Sequence, residues 1–333
     1  MKIIGYVCDK TLPAVTKEEA QKLDIINIAF GHVNRDCTLE TGELKHIDAI
    51  KRIREMNPRI RFVLSVGGWG CGGFSLMCRT EEGRRIFADS CADYVGANDL
   101  DGIDIDWEYP CSDQAGIDAD PSDKQNFTAL MESLRCVLGP DRIVSIAAGA
   151  GQYFIDGTEM DKVAKICSYI QLMTYDMRSG FCTEAGHHTA PYYTAGGRTG
   201  FDTKCVAEMF AGAGVPKEKI VLGAAFYSRK WDGVPDVNHG LFQQAATIGR
   251  YGPGFAELKE KYINKNGFTR YWDAEAKAPY LFNGSTLISY DDPDSVRAKC
   301  EYLKNAGYMG IMYWEHGCDP TGEMLNALWQ AND

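Results

Sequence analysis

The residues with the most evident chemistry are three carboxylates in the segment DGIDIDWEYP, which spans residues 101–110. Side chains on a strand alternate between its two faces, so Asp104, Asp106 and Glu108 would share one face. Ile and Trp side chains occupy the other face, which we expect to pack against helices. Carboxylates this close cannot all ionise at neutral pH without a large cost, so we expect them to share protons and titrate as a unit.

Two other interpretations of this acidic strand are weaker. A solvated acidic turn carries Gly, Asn and Ser between its acids, whereas this segment carries Ile and Trp. Magnesium or calcium would accept carboxylate oxygens, but the segment lacks EF-hand spacing and a nearby histidine. His187-His188 and His316 with Cys318 are expected to be loop residues. We therefore predict a general acid of raised pKa with two supporting carboxylates, and no metal or cofactor.

The composition excludes several classes of partner. The chain has 333 residues, 45% of them hydrophobic, and its 46 acidic against 35 basic residues give a net charge of −11. Such a chain lacks the basic surface that binds nucleic acid or anionic lipid. No run approaches the roughly 18 apolar residues of a membrane span. We expect a globular monomer with a large core and with no nucleic-acid or membrane partner.

The N-terminus and the cysteines bear on the compartment. Lys2 is followed at once by the strand-like run IIGYV, without the apolar stretch and cleavage site of a signal peptide. Five of the twelve cysteines lie in helical patterns, where a free cysteine behaves as a small hydrophobe. We predict a cytoplasmic protein, with a secreted and already trimmed form as the alternative.

Eight short runs rich in Ile, Val and aromatic residues are typical of strands buried on both faces. They lie at 3–7, 24–30, 61–66, 102–107, 143–148, 169–173, 220–226 and 308–313. Helical patterns separate them, at 47–56, 127–138, 296–303 and 324–329 among others. This alternation predicts an α/β protein with a closed (β/α)8 barrel. A doubly wound sheet is the alternative, but the glycines at 67–73 do not match its G-x-G-x-x-G turn.

The interval between strand 7 and strand 8 holds about 80 residues, where a helix and two loops need roughly 25–30. It contains strand-like pieces at 269–272, 278–282 and 287–290 and a helical pattern near 255–262. We therefore predict a small α+β insertion over residues 229–289, with the barrel formed by 1–228 and 290–333. Loops after barrel strands lie at the C-terminal face, so this insertion would form a wall beside the site.

The pattern D-x-x-D-x-D-x-E over residues 101–108 resembles the signature of family 18 glycoside hydrolases, the chitinases and their relatives. Four further motifs resemble that family in the same order: SVGG at 65–68, MTYD at 173–176, FYSR at 226–229 and MYWE at 312–315. YWD and APY, near 271–280, are similar to its chitinase insertion domain. The resemblance covers nearly the whole chain. It implies a TIM-barrel enzyme that hydrolyses β-1,4 bonds between N-acetylglucosamine units of chitin or chito-oligosaccharides.

The resemblance also implies a retaining, substrate-assisted mechanism through an oxazolinium intermediate. Glu108 would protonate the glycosidic oxygen and later activate water. Asp106 would orient the acetamido N–H of the substrate, and Asp104 would share a proton with Asp106. Tyr175 would donate a hydrogen bond to the acetamido oxygen.

Other residues match the substrate groove of the family. Asp176 would contact the sugar in the cleaved subsite, and Trp314 would form a flat floor beneath that sugar. The further matching positions are Tyr6, Phe30, Gly68, Trp69, Met173, Tyr227 and Arg229. Core packing remains the alternative for the aromatic side chains, and a surface ion pair for Arg229. Asp101 is out of phase with the inward face, so we expect an architectural role for it.

Three other functions remain open. A chitin-binding lectin of this fold usually lacks the acid that Glu108 provides here. An endo-β-N-acetylglucosaminidase and a peptidoglycan hydrolase would resemble this chain less in the insertion and in the Tyr175-Asp176 pair. No carbohydrate-binding domain is recognisable in the sequence, which favours soluble chito-oligosaccharides over crystalline chitin as the substrate.

Overall fold

A closed barrel of eight parallel strands forms the body of the protein in this computed structural model, which describes residues 1–332. The barrel strands are β1 (Lys2–Cys8), β2 (Ile25–Val33), β4 (Arg61–Gly67), β5 (Gly102–Asp106), β6 (Ile143–Gly149), β7 (Tyr169–Met173), β8 (Ile220–Ala225) and β14 (Gly310–Trp314). Each strand pairs in parallel with the next, and β14 closes the barrel on β1. A two-residue strand, β3 (Leu39–Glu40), pairs antiparallel with the end of β2. The predicted (β/α)8 barrel is confirmed.

Side chains of the barrel strands alternate between two apolar layers. On β5, Ile103 and Ile105 point outward and share a hydrophobic cluster with helix residues such as Phe127. A separate cluster fills the barrel interior and includes Ile4, Val63, Ala147, Val221 and Met312. Because side chains alternate along a strand, Asp104 and Asp106 lie on the inner face, as the period-two pattern predicts.

Helices surround the barrel. They are α1 (Lys17–Lys22), α2 (Ala49–Met56), α3 (Phe74–Cys78), α4 (Glu81–Ala97), α5 (Asp123–Leu138), α6 (Gln152–Asp156), α7 (Met160–Ile166), α8 (Thr203–Gly212), α10 (Pro293–Ala306) and α11 (Glu323–Gln330). Short 3-10 turns cover Asp9–Ala14, Lys217–Lys219, Asn238–Gly240 and His316–Cys318. Helix α10 shows how the sequence sets its ends: Asp292 and Ser295 form a capping box, and Gly307 ends the helix at φ 80°.

A second sheet lies between β8 and β14, in the stretch for which the sequence predicts an insertion. Its strands are β9 (Tyr227–Asp232), β10 (Arg250–Gly254), β11 (Thr269–Asp273), β12 (Ala278–Phe282) and β13 (Thr286–Tyr290), with helix α9 (Phe255–Lys261) after β10. They pair antiparallel in the order β10-β9-β13-β12-β11. Trp231, Tyr280 and Leu287 are among the buried residues of its own small core.

Some element boundaries differ from the sequence-based ones. Strand β2 continues to Val33, three residues beyond the predicted end, because it pairs there with β3. Strands β9 and β10 were not predicted at all. Within residues 1–332, no helix is long and apolar enough to cross a bilayer. All twelve cysteines, which lie in this described part, are free thiols.

Candidate active site

The three acids of β5 stand in a row that leads from the barrel interior to its C-terminal rim. Asp104 is fully buried, Asp106 is 5% exposed and Glu108, just beyond the strand end, is 9% exposed. Burial raises the pKa of Asp104. Burial and the charges of Glu108 and Asp104 raise the pKa of Asp106 well above its usual value. Protons are therefore held on this row at a pH where ordinary carboxyl groups are ionised.

Glu108 has the pKa that suits a general acid. Burial raises its pKa to about 7, a side-chain hydrogen bond with Tyr109 opposes the rise, and the charge of Asp176 adds to it. A general acid works best when its pKa lies near the operating pH. Glu108 can thus give a proton at neutral pH and take one back.

Four neutral donors hold the carboxylate of Asp104. The hydroxyls of Tyr6 and Ser65 donate to Oδ2 at 2.9 and 2.8 Å. The Ser145 hydroxyl and the Gln171 amide donate to Oδ1 at 2.7 and 2.9 Å. The donors lower the pKa of Asp104, but burial outweighs them. These four hydrogen bonds therefore fix the position of the Asp104 carboxyl group at the inner end of the row.

Two members of this network, Ser145 and Gln171, were not predicted from the sequence. The Gln171 amide also donates to the Tyr6 hydroxyl at 3.0 Å, and its own oxygen accepts from Asn27 Nδ2 at 2.9 Å. Each of these side chains is a polar residue on the inner face of an otherwise apolar strand. That signal could have identified them, because a buried polar group needs a partner.

Asp106 differs from Asp104 in its hydrogen bonding. Its Oδ1 is buried and has no hydrogen-bond partner among the described residues. An unsatisfied buried oxygen costs free energy, roughly 1–3 kcal/mol. Asp106 can therefore accept a hydrogen bond from a ligand N–H that enters the barrel mouth.

Tyr175 lies beside the row on the segment after β7. Its hydroxyl is 3.7 Å from Met312 Sδ, and burial with the charges of Asp106 and Glu108 raises its pKa well above 10.0. The hydroxyl is therefore a neutral donor at physiological pH. Met173, two residues earlier, is buried in the same inner cluster as Tyr175 and Met312.

Asp176 and Arg229 form an ion pair that joins the barrel to the second sheet. Arg229 Nε donates to Asp176 Oδ1 at 2.6 Å, and its Nη2 contacts Oδ2. His188, which is fully buried, places Nδ1 3.4 Å from Asp176 Oδ1. Burial opposes ionisation, but hydrogen bonds to His188 and Arg229 hold the pKa of Asp176 well below its usual range. Asp176 is thus an anion at the rim.

Aromatic rings form one side of the barrel mouth. The Trp314 ring stacks on Phe30 at 5.3 Å between centroids and 22° between planes, and Tyr6 meets Trp314 edge-on at 5.8 Å. Gly68 has φ +97°, and a Cβ added there would lie 3.0 Å from the Phe30 ring. A side chain at position 68 would therefore displace Phe30 and, with it, the support of Trp314.

A second group of aromatic rings lies on the Glu108 side of the mouth. Trp69 and Phe181 are 51% and 63% exposed, and their centroids are 5.8 Å apart. Tyr109 connects them to Tyr153, with centroids 6.2 Å from Trp69 and 5.2 Å from Tyr153. Only Trp69 of these rings was predicted. Tyr153 and Phe181 lie in loop or short helical segments whose sequence carries no signal for the groove.

Tyr227 lies between Tyr175 and a residue that the sequence did not reveal, Tyr251. Its ring meets Tyr175 edge-on at 5.9 Å and stacks on Tyr251 at 4.5 Å and 2°. Tyr227 is buried, whereas Tyr251 is 55% exposed. The predicted site residues thus lie together, with Tyr6 and Asp104 in the barrel interior and the others toward its C-terminal mouth.

Two histidines outside the acidic row are hydrogen-bonded within the protein. His187 Nε2 lies 3.1 Å from Asp273 Oδ2, and the His316 ring is 3.0 Å from the Tyr313 hydroxyl. No group of three potential metal-ligating side chains occurs within the described chain. A cavity of about 620 Å³ opens at the N-terminal end of the barrel, and its lining includes none of the predicted site residues.

Comparisons with known proteins place this geometry among enzymes that act on glycans. Residues 2–319 match the family described as glycosyl hydrolases family 18. The chain is 37% identical to Chitinase A1 of Niallia circulans over 85% of this chain and 44% of that protein. It is 31% identical to a probable endochitinase of Caenorhabditis elegans over 87% of this chain and 50% of that protein. The chain thus spans about half the length of these curated relatives.

A solved structure matches over its full length. A family 18 N-acetylglucosaminidase from Paenibacillus barengoltzii is 51% identical, with a TM-score of 0.97, and 99% of each chain is covered. Chitinase ChiA74 from Bacillus thuringiensis has a similar fold, at 27% identity and a TM-score of 0.89 over 99% of this chain and 69% of that one.

Proposed function

This chain belongs to the glycosyl hydrolases of family 18, and we propose that it hydrolyses β-1,4 bonds between N-acetylglucosamine units of chitin or chito-oligosaccharides. The observation that carries this proposal is the acidic row of β5, in which Glu108 has a pKa of about 7 and Asp106 has a free buried acceptor oxygen. A lectin has no need of a proton donor poised near neutrality.

In the first step, Glu108 gives its proton to the glycosidic oxygen as the bond from that oxygen to the anomeric carbon breaks. The carbonyl oxygen of the substrate's acetamido group attacks the anomeric carbon and closes an oxazolinium ring. This ring carries the positive charge that develops as the glycosidic bond breaks. Asp106 Oδ1 accepts the acetamido N–H, and Tyr175 donates to the acetamido oxygen. These contacts align the nucleophile and stabilise the developing positive charge.

In the second step, Glu108 acts as the base. It takes a proton from a water molecule that attacks the anomeric carbon, the ring opens, and the sugar is released with its original configuration. Asp104 shares a proton with Asp106 and keeps the Asp106 carboxyl group at a fixed place. The site needs no metal or cofactor for these steps, because the row supplies the proton and the substrate supplies the nucleophile.

The two aromatic sides of the mouth bind the sugar. Trp314 supports the cleaved sugar with its flat face, because pyranose C–H groups bury apolar surface against indole. Asp176 accepts hydrogen bonds from hydroxyl groups of the same sugar. Trp69 lies on the Glu108 side, where the leaving group departs.

The second sheet contributes to the site as an insertion domain. We assign residues 229–289 to it and residues 1–228 and 290–333 to the catalytic barrel. Arg229 on β9 pairs with Asp176 of the barrel, and Tyr251 on β10 stacks on Tyr227. The insertion thus forms one wall of the groove.

The experiment compares the wild type with Glu108→Gln on N,N′-diacetylchitobiose that carries a fluorescent leaving group. Binding of unlabelled chito-oligosaccharide is measured in parallel by calorimetry. Hydrolysis that collapses while binding survives supports the proposal. A wild type that binds without cleavage would establish a lectin, and one that does neither would redirect the search to N-glycan cores and peptidoglycan.

A narrower activity is favoured by one observation. The structure matched at 51% identity over 99% of both chains is of an N-acetylglucosaminidase, whereas Chitinase A1 is 37% identical. We propose that this protein also releases N-acetylglucosamine from the ends of chito-oligosaccharides. The products of chitotetraose, followed from the first minutes of reaction, separate monosaccharide release from release of the disaccharide.

A further inference from the structure

We propose that Tyr251 is the end wall of the groove, and that it limits the site to one sugar on the non-reducing side of the bond that is cleaved. Tyr251 would thus determine where the enzyme cuts a chain. This inference rests on the proposed hydrolysis and names the residue that sets its product.

Tyr251 is held over the ion pair that joins the insertion to the barrel. It lies opposite Arg229 in the pairing of β10 with β9. Its ring stacks on Tyr227 at 4.5 Å and 2°, and the Arg229 guanidinium is 5.3 Å from its ring centre. Since Arg229 binds Asp176, the Tyr251 ring lies next to one residue that contacts the cleaved sugar.

Trp314, the floor of the same sugar, also lies near Tyr251. Partial burial and the charges of Cys318, Glu315 and Asp176 raise the pKa of Tyr251, while a side-chain hydrogen bond with Trp314 opposes that rise. These groups lie on both sides of the subsite. Tyr251 therefore has the Arg229–Asp176 pair on one side, where the geometry is closest, and Trp314 in its neighbourhood.

The strand that carries Tyr251 is pressed against its neighbours, and three glycines make this possible. A Cβ added to Gly249 would lie 2.4 Å from the Trp231 ring, and one added to Gly252 would lie 2.5 Å from Ser228 Oγ. At Gly254, an added Cβ would lie 3.0 Å from the carbonyl oxygen of Cys318. This close packing makes Tyr251 a fixed wall, unlike a residue on a mobile lid.

The position of the acid shows which side of the substrate Tyr251 closes. Glu108 protonates the oxygen that leaves with the reducing-end portion, so that portion extends past Tyr109 and toward Trp69 and Phe181. Those two rings lie on the Glu108 side of the mouth, where Tyr109 connects them to Tyr153. Tyr251 belongs to the other group of rings, beyond Trp314 and Asp176. The closed end is therefore the non-reducing end.

The test uses two fluorogenic substrates, 4-methylumbelliferyl N-acetylglucosaminide and 4-methylumbelliferyl diacetylchitobioside. If only one sugar fits on the non-reducing side, the wild type releases the fluorophore from the N-acetylglucosaminide at once. It releases the fluorophore from the diacetylchitobioside only after a lag, since the terminal sugar must be removed first. In Tyr251→Ala, we expect the lag to disappear and direct release from the second substrate to rise at least tenfold. From chitotetraitol, the tetrasaccharide with a reduced end, the variant should release disaccharide where the wild type releases monosaccharide.

Two further variants keep this test decisive. Tyr251→Phe retains the ring and should keep the lag and the monosaccharide product. Phe181→Ala, on the Glu108 side, should weaken binding of long leaving groups and also keep the monosaccharide product. Retained activity of Tyr251→Ala on the one-sugar substrate shows that this variant is folded.

Other outcomes would overturn the inference. Tyr251→Ala with an unchanged lag and product would show that another residue closes the groove, and weaker binding of the chitobioside alone would show that Tyr251 is a platform for a second sugar. A wild type that releases disaccharide from the non-reducing end would refute the end wall but leave the proposed hydrolysis intact. A wild type that cleaves no chito-oligosaccharide would refute both.

Discussion

Buried carboxyl groups at two places in this protein have opposite electrostatic surroundings. Asp291, at the end of the second sheet, is 1% exposed and binds Lys299, which is fully buried, at 2.7 Å. The Ala225 N–H and the hydroxyls of Thr189 and Ser295 also donate to Asp291, at 3.0, 2.9 and 2.7 Å. In the acidic row, by contrast, neutral donors, burial and other acids set the pKa values of Asp104, Asp106 and Glu108. One group is balanced by a cation and the other is left to hold protons.

The difference shows how a fold separates stability from chemistry. A buried charge with a matched partner contributes a defined geometry, and its loss leaves the other charge unpaired. The Lys299 ammonium also donates to Thr189 Oγ1 at 2.6 Å and to the Gly223 carbonyl at 3.1 Å, and the Thr174 hydroxyl donates to the same carbonyl at 2.9 Å. Thr174 directly precedes Tyr175. The balanced group thus supports the segment that carries Tyr175, while the unbalanced row is the one to which we assign the reaction.

The largest effect is expected at the acid. Glu108→Gln removes the transferable proton but keeps the shape of the side chain, so kcat/KM should fall about a thousandfold, within the range for a lost general acid. Steady-state rates on the fluorogenic chitobioside measure this fall. A decrease of less than tenfold would contradict the assignment of Glu108 as the acid.

The ion pair should respond in stability. Lys299→Met leaves Asp291 buried without its cation, and the free energy of unfolding should fall by about 3–5 kcal/mol. Urea unfolding measures the loss. The double variant Lys299→Met with Asp291→Leu removes both charges and should recover most of it. If Lys299→Met were as stable as the wild type, Asp291 would not depend on its cation, and the contrast between this pair and the acidic row would fail.

Asp106→Asn should separate activity from stability. Activity should fall about a hundredfold, because an amide at position 106 cannot share a proton with Asp104 or take up negative charge opposite the acetamido N–H. Stability should rise by about 1 kcal/mol, because an amide at position 106 never adds a negative charge to the crowded row, and the thermal midpoint should rise by roughly 2–4 °C. Calorimetric scans measure this midpoint. A lower midpoint would mean that the row is not strained by like charges.

The smallest effect is in the pH dependence. Glu108 must be protonated to act, so kcat/KM should fall as pH rises through about 7. Its pKa in the folded state is raised above the usual 4.5, so the folded state holds more protons than the unfolded one. Stability from this group is therefore full below about 4.5 and is lost as pH rises to about 7. Thermal midpoints of Glu108→Gln across this window should fall less than those of the wild type.

Much of this protein could be predicted from its sequence, for reasons of local geometry. The side chains of a strand alternate in direction whatever surrounds them, so Asp104, Asp106 and Glu108 had to share a face. The eight apolar runs required helices on the outside, and barrel closure followed. The signal failed at β10, because the glycines and proline of RYGPG do not resemble a strand.

The contacts that set the properties of the site were decided only by tertiary structure. Asp104 gains Tyr6 from 98 residues away and Gln171 from 67 residues away. Asp176 meets Arg229 across 53 residues. Nothing local dictates these pairs, because they depend on the register of neighbouring strands and on how the second sheet packs on the barrel. The sequence by itself determined which groups could react, and the fold decided their protonation and the shape of the groove around them.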